Sequence, residues 1–150
     1  PEDYQLIVAG EPYGSFDKYQ ELIDNSGAKD RIFLYPQYIR DSEVKLYFSD
    51  ADVPVLPYRS ATQSGISSIS YHFEVPMIVT DVGGLKEAIG DSGTGIVSEK
   101  ADANCILRDI ERYFSDENLR NGCIENIRKE KQRLSWKAFC DDLIEFQNGL

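Results

Sequence analysis

The stretch Val75-Pro76-Met77-Ile78-Val79-Thr80-Asp81-Val82-Gly83-Gly84-Leu85-Lys86-Glu87 decides the fold. Met77–Thr80 is a short apolar run bounded by a proline and a turn, the length of a buried strand. Asp81–Gly84 follows as a turn whose two glycines accept positive φ. Leu85–Ile89 then reads as a short helix, and Gly95–Val97 as the next strand. Strand, glycine turn and helix within so few residues are one step of an alternating α/β chain.

Similar steps lie upstream. Gln5–Ala9 reads as a buried strand ending at Gly10, and Ser15 can cap a helix carrying Phe16, Tyr19 and Ile23, closed by Gly27. Arg31–Tyr35 is a strand stopped by Pro36. Asp41 can cap a helix with Val44, Tyr47 and Phe48 inward, and Ala51–Leu56 returns to strand character before Pro57. The polar stretch Arg59–Gly65 leads into a helix with Ile66, Ile69 and Phe73 at helical spacing. Strands alternating with helices at this spacing predict a parallel sheet with right-handed crossovers.

From Ala101 onward the pattern is helical only. Three apolar stripes follow the i, i+3, i+4 rule. The first holds Ile106, Leu107, Ile110, Tyr113 and Phe114. The second holds Leu119, Cys123, Ile124 and Ile127, after a possible cap at Ser115. The third holds Trp136, Phe139, Cys140, Leu143 and Ile144, after Ser135. Core packing is the expectation for all three, and the three cysteines, Cys105, Cys123 and Cys140, read as small core residues on these helices.

The 150 residues suit one domain, and a net charge of −10 argues against nucleic acid, which needs clustered Lys and Arg. A bound nucleotide stays open, because helix-start N–H groups hold phosphate without a basic domain. No apolar run is long enough to cross a bilayer. An odd number of widely spaced cysteines and a single histidine, His72, argue against disulfides and zinc and for a reducing cytoplasm. Peripheral membrane attachment of a full-length protein is compatible with this. The chain opens almost directly into a strand, so its start reads as a boundary within a longer protein.

Ligands of open parallel sheets bind outside the carboxyl ends of the strands. That rule selects Gly10–Gly14, Pro36–Ile39, Pro57–Gly65 and Asp81–Gly84. Thr62-Gln63-Ser64-Gly65 is the best candidate for a diphosphate. It offers hydroxyls, a carboxamide, a glycine permitting close approach, and then a helix start. A solvated loop with Ser64 as cap competes with that reading, and a plain tight turn competes with a second cradle at Gly83-Gly84. His72, next to Phe73, reads as a structural or surface histidine, and no Ser-His-Asp or Cys-His arrangement stands out.

Several segments taken together resemble one family. Phe48-Ser49-Asp50-Ala51-Asp52-Val53-Pro54-Val55-Leu56-Pro57 is similar to the "aDvfvlPS" segment of the glycosyl transferases group 1 family. Val75–Glu87 resembles its "PVIasdvGGlpE" run, Gly93–Val97 its "gtGllv", and Tyr38–Glu43 its "yvsdeel" helix entry. The resemblance spans essentially the whole chain. It implies the C-terminal, donor-binding half of a GT-B enzyme: a Rossmann-like parallel sheet flanked by helices, with C-terminal helices packed back on it. It further implies a nucleotide-diphosphate sugar as co-substrate, no metal or other cofactor, and a saccharide or glycoconjugate acceptor reached through a separate N-terminal domain. Transfer would be of the retaining hexosyl type, as in polysaccharide biosynthesis, with this chain alone inactive.

On that resemblance the expected donor contacts are Gly10, Glu11, Tyr38, Thr62, Gln63, Ser64, Gly65, Ile66, Gly83 and Gly84. One departure favours an alternative, a non-catalytic relative of the same fold. The family often carries two glutamates eight positions apart, and those positions here are Ala61 and Ile69. Neither side chain bonds a sugar hydroxyl. Gln63, Ser64 and Ser67 are candidates to take over part of that role. A third reading, a response-regulator-like domain, lacks the acidic cluster and strand-end lysine it needs.

Overall fold

The first strand, β1 (Leu6–Ala9), leads to helix α1 (Asp17–Asp24), a 3-10 turn (Lys29–Arg31), strand β2 (Ile32–Tyr35) and helix α2 (Asp41–Asp50). Strand β3 (Val55–Leu56), helix α3 (Gly65–Phe73), strand β4 (Met77–Thr80), a π-helical turn (Lys86–Asp91) and strand β5 (Gly95–Ser98) follow. Helices α4 (Ala103–Ser115), α5 (Glu117–Arg133) and α6 (Trp136–Asn148) close the chain. These elements come from a computed structural model that describes residues 4–149. They fall into two compact units, divided between Tyr47 and Phe48.

In the first unit β1 and β2 pair in parallel, Leu6 opposite Ile32 through Ala9 opposite Tyr35. In the second unit β3, β4 and β5 form a parallel sheet in that order, with Val55 opposite Ile78 and Met77 opposite Gly95. Every pairing is parallel, as the alternation requires, but the strands make two hydrogen-bonded sheets rather than one. The strand expected over Ala51–Leu56 is only two residues long. Pro54 has no N–H for the ladder, although its carbonyl accepts from the Ile78 N–H at 2.9 Å.

Strand β4 is buried on both faces, and its alternation feeds two cores. Met77 and Val79 join Tyr71, Leu85, Ile89 and Ile127 on one side. Ile78 joins Ile96 and Tyr113 on the other. Each of these aliphatic side chains contributes roughly 1.5–3 kcal/mol by leaving water. Helix α4 packs on β4 and β5, and α5 packs on α3 and α4. Tyr113 is 3% exposed and donates to the Asp52 carbonyl at 2.8 Å. Burial pushes its hydroxyl up to about 12, so it remains a donor at any physiological pH.

Three caps differ from expectation. Helix α1 starts at Asp17 behind Phe16, with the Ser15 hydroxyl accepting from the Asp17 N–H at 3.2 Å, and its C-terminal cap is Asn25 rather than Gly27. Asp41 is the first residue of α2, while Glu43 reaches back to accept from the Arg40 N–H at 3.0 Å. The cap of α5 is Asp116, accepting from the Leu119 N–H at 2.9 Å, because Ser115 still belongs to α4. Ser64 and Ser135 cap α3 and α6 as expected, accepting from the N–H groups of Ile66 and Ala138.

Two burial expectations fail. β1 is exposed along its length, with Leu6 at 52%, because its side chains alternate between two sheet faces that no described element covers closely. α6 buries nothing: Trp136 is 82% exposed, and Phe139, Cys140, Leu143 and Ile144 also face solvent. Cys105 is half-buried, leaving Cys123 as the one fully buried thiol among the described residues. An apolar stripe fixes which face of a helix wants covering, and no described element covers this one. Helix α3 ends at Glu74, a non-glycine in the left-handed region at φ 58°. Its carboxylate accepts from Arg128 at 2.8 Å and Lys131 at 3.2 Å, and these two cations hold its pKa below the usual range.

Candidate functional site

Two loops of the second unit are joined at the start of α3. The Gly84 N–H donates to the Thr62 carbonyl at 2.9 Å, tying the loop after β4 to the loop after β3. Gly83 and Gly84 are the central residues of a turn closed by the Leu85 N–H on the Val82 carbonyl at 3.2 Å. Gly83 has φ 54°, and a Cβ there would stand 1.9 Å from the Ala61 carbonyl oxygen. The approach of the two backbones therefore requires glycine at this position. Below them, the Thr80 hydroxyl at the end of β4 donates to the Tyr58 carbonyl at 2.5 Å, locking the start of the first loop.

Helix α3 opens against this junction. Ser64 accepts from the Ile66 N–H at 3.3 Å, and the Ser67 hydroxyl donates to the Ser64 carbonyl at 2.6 Å. The N–H groups of Gly65 and Gly83 have no protein acceptor among the described residues. The exposed Gln63 carboxamide is likewise without a protein partner, and its Cγ lies 3.9 Å from where a Gly84 Cβ would stand. A Cβ at Gly65 would meet nothing within 4 Å, so the helix start is open. Free N–H groups at the end of a helix dipole suit an anion. The carboxylate nearest in sequence, Asp81, is paired with Lys86 at 3.4 Å.

The structure thus brings Thr62, Gln63, Ser64, Gly65 and Ile66 together with Gly83 and Gly84. The Gly84 N–H is committed to Thr62, so Gly84 serves the loop's shape rather than offering a donor of its own. Gly10, Glu11 and Tyr38 belong to the first unit. Gly10 ends β1 at φ 139° with its N–H on the Tyr35 carbonyl at 3.1 Å, while Glu11 and Tyr38 are exposed on the loops after β1 and β2. The side chains of Ser64 and Ser67 are engaged in capping α3.

His72 is exposed, its ring edge-on to Phe73 at 4.9 Å. Burial pushes the Cys123 thiol up, and the Asp102 carboxylate pushes Cys105 up, so neither is an activated nucleophile. Two features escaped the sequence reading. Arg59, in the loop before α3, is exposed with no acid partner among the described residues. The buried Tyr71 and Thr94 hydroxyls meet behind the glycine turn at 2.9 Å. The only signals were a basic residue within a polar loop and a threonine between two glycines.

The second unit is thus a parallel α/β frame in which a glycine turn meets the open start of a helix. Comparison with known proteins makes the class specific: residues 1–130 match the family glycosyl transferases group 1, and the chain belongs to that family. It is 25% identical over 148 residues to a D-inositol 3-phosphate glycosyltransferase of Salinispora arenicola (strain CNS-205), covering 96% of this chain and 33% of that protein. The fold matches the sucrose-phosphate synthase of Thermosynechococcus elongatus with a TM-score of 0.75 at 22% identity, covering 97% of this chain and 37% of that one. It also matches Anabaena HepE in complex with UDP-glucose, with a TM-score of 0.75 at 15% identity, covering 100% of this chain and 42% of the other. The fold is therefore that of GT-B glycosyltransferases. The chain spans about a third of the length of the curated relatives it matches. Among the described residues, no helix is long and apolar enough to cross a membrane.

Proposed function

We propose that this chain is the donor-binding domain of a glycosyltransferase and holds the diphosphate of a nucleotide sugar at the start of α3. The observation that carries the reading is the junction of the two loops, with the Gly84 N–H on the Thr62 carbonyl and the Gly65 and Gly83 N–H groups open beside it. Negative charge grows on the diphosphate as the glycosyl bond breaks, and fixed N–H dipoles stabilise it without reorganising. Arg59 is a further cation available at that loop. The diphosphate is the part of the donor served here. For Gly10, Glu11 and Tyr38 the assignment to the donor rests on the family resemblance alone.

The whole protein would transfer a hexosyl group with retention to a saccharide or glycoconjugate, using a further domain for the acceptor and no metal. This chain alone would be inactive, and the setting would be cytoplasmic. HepE, solved with UDP-glucose, makes UDP the first nucleotide to try. A second reading, a domain that keeps the fold without donor chemistry, draws on Ala61 and Ile69, whose side chains bond no hydroxyl.

Calorimetric titration with UDP, GDP and ADP up to millimolar concentration separates these readings. One nucleotide is expected to bind saturably, and Gly65→Asp to weaken it at least about tenfold. The aspartate has room at that position and suits a helix start, so the fold survives while the anion is repelled. Absence of binding to any of the three, in this chain and in the full-length protein, would overturn the donor-site reading in favour of the second.

A further inference from the structure

The hydroxyl of Tyr71 lies behind the glycine turn and has no part in the cradle itself. Tyr71 is 8% exposed in α3, and its ring packs in the core with Leu85 and Ile89. Its Oη donates to the Ala88 carbonyl at 2.6 Å and lies 2.9 Å from Thr94 Oγ1. Ser92 Oγ also donates to the Ala88 carbonyl at 2.6 Å and stands 2.8 Å from Thr94 Oγ1. With Tyr71 and Ser92 each donating to the Ala88 carbonyl, Thr94 Oγ1 has the Tyr71 and Ser92 oxygens and the Ile89 carbonyl, at 3.4 Å, as acceptors for its own proton.

Ala88 sits in the π-helical turn, Lys86–Asp91, whose winding pairs the Thr94 N–H with the Ile89 carbonyl five residues back at 3.0 Å, while among the described residues no backbone N–H reaches the Ala88 carbonyl. The same residue donates its N–H to the Gly84 carbonyl at 3.0 Å. Tyr71 is therefore two hydrogen bonds from the glycine turn, through the carbonyl and then the N–H of Ala88. The other wall of the cradle, Ser64–Ile66, is the start of the same helix that carries Tyr71. Both walls are thus referred to α3, one directly and one through this hydroxyl.

We infer that Tyr71 is a positioning residue for the donor site, setting the Gly83–Gly84 turn against the start of α3 through Ala88. The inference rests on the proposed donor-binding reading. Tyr71→Phe removes one oxygen and keeps the ring. Tyr113→Phe is the matched control, since it also removes a buried hydroxyl from a backbone carbonyl, in the other core. Thr94→Val removes a hydroxyl from the same network while keeping the side chain's shape, and serves if Tyr71→Phe does not fold.

The experiment is calorimetric titration of UDP into the four proteins, well below each melting temperature. Tyr71→Phe is expected to weaken UDP about five- to tenfold, the scale of one hydrogen bond's net worth, with Thr94→Val in the same direction. Tyr113→Phe, with a similar fall in melting temperature, should bind like wild type. Equal affinity in wild type, Tyr71→Phe and Thr94→Val overturns the inference and leaves the donor site standing. An equal loss in Tyr113→Phe also overturns it, because the effect would then be one of general stability. If wild type binds GDP or ADP instead of UDP, the same four proteins are titrated with that nucleotide, and if neither this chain nor the full-length protein binds any of the three, the inference falls together with the reading beneath it.

Discussion

Gly83→Ala is expected to destabilise the second unit by about 3 kcal/mol and to abolish nucleotide binding, from left-handed strain and overpacking together. The new methyl group would stand 1.9 Å from the Ala61 carbonyl oxygen and 2.9 Å from that of Thr62. Both are backbone atoms, so no side chain can swing aside. Relief requires the loop after β3 to separate from the loop after β4, which breaks the Gly84–Thr62 hydrogen bond that joins them. Urea unfolding followed by circular dichroism, with UDP titration of the folded fraction, reads both effects. Gly84→Ala meets the Thr62 carbonyl at 3.2 Å and should be milder, while Gly65→Ala meets nothing and should leave stability unchanged or slightly raised. If the three alanine variants were equally stable, the account of the loop junction would be wrong.

Gly95→Ala should be at least as damaging, by a different route. Gly95 pairs with Met77 in the β4–β5 ladder, and its backbone is not in the left-handed region. The obstacle is space alone. A Cβ would lie 2.2 Å from the Met77 carbonyl oxygen, 3.0 Å from its nitrogen and 2.8 Å from Ile89 Cγ2. Met77 and Ile89 are 1% and 0% exposed, so neither can move without opening the core. The loss should be about 4 kcal/mol or more, in the range reserved for overpacked cores. A cooperative far-ultraviolet transition close to that of wild type would show that β5 can shift away from β4, against the packing described.

Strand positions were legible because a short apolar run between a proline or polar residue and a turn has few alternatives. Met77–Thr80 reads to the residue, and Gly95–Val97 to within one. Burial was legible only where neighbours in the same unit supply the cover. Leu6–Ala9 has the composition of a buried strand and lies exposed, and the α6 stripe from Trp136 to Ile144 has helical periodicity and no cover among the described residues. Both are patterns of need, and the pattern cannot name what meets the need. Caps failed where two candidates were adjacent: Ser115 and Asp116 both suit the position, and only the helix register chooses.

The loop at Thr62–Gly65 and the turn at Gly83–Gly84 were legible as separate motifs with competing plain readings. Their junction was not, since it depends on one backbone hydrogen bond across 22 residues, from Gly84 to Thr62. The same limit hid Tyr71 and Thr94, whose hydroxyls meet at a separation of 23 residues. Nothing local marks either as more than a core aromatic and a turn threonine. Glycine at position 83 is required on two grounds, its φ of 54° and the approach of the Ala61 carbonyl, and only the first belongs to the turn itself.

The most direct measurement of the central claim is the amide spectrum of the isotopically labelled chain during titration with UDP. A diphosphate held at the start of α3 gives saturable shifts that are largest at Ser64, Gly65, Ile66 and Gly83, the helix start and the glycine turn that meet at the junction. Saturable binding with those amides unmoved, and the largest shifts elsewhere in the chain, would contradict it.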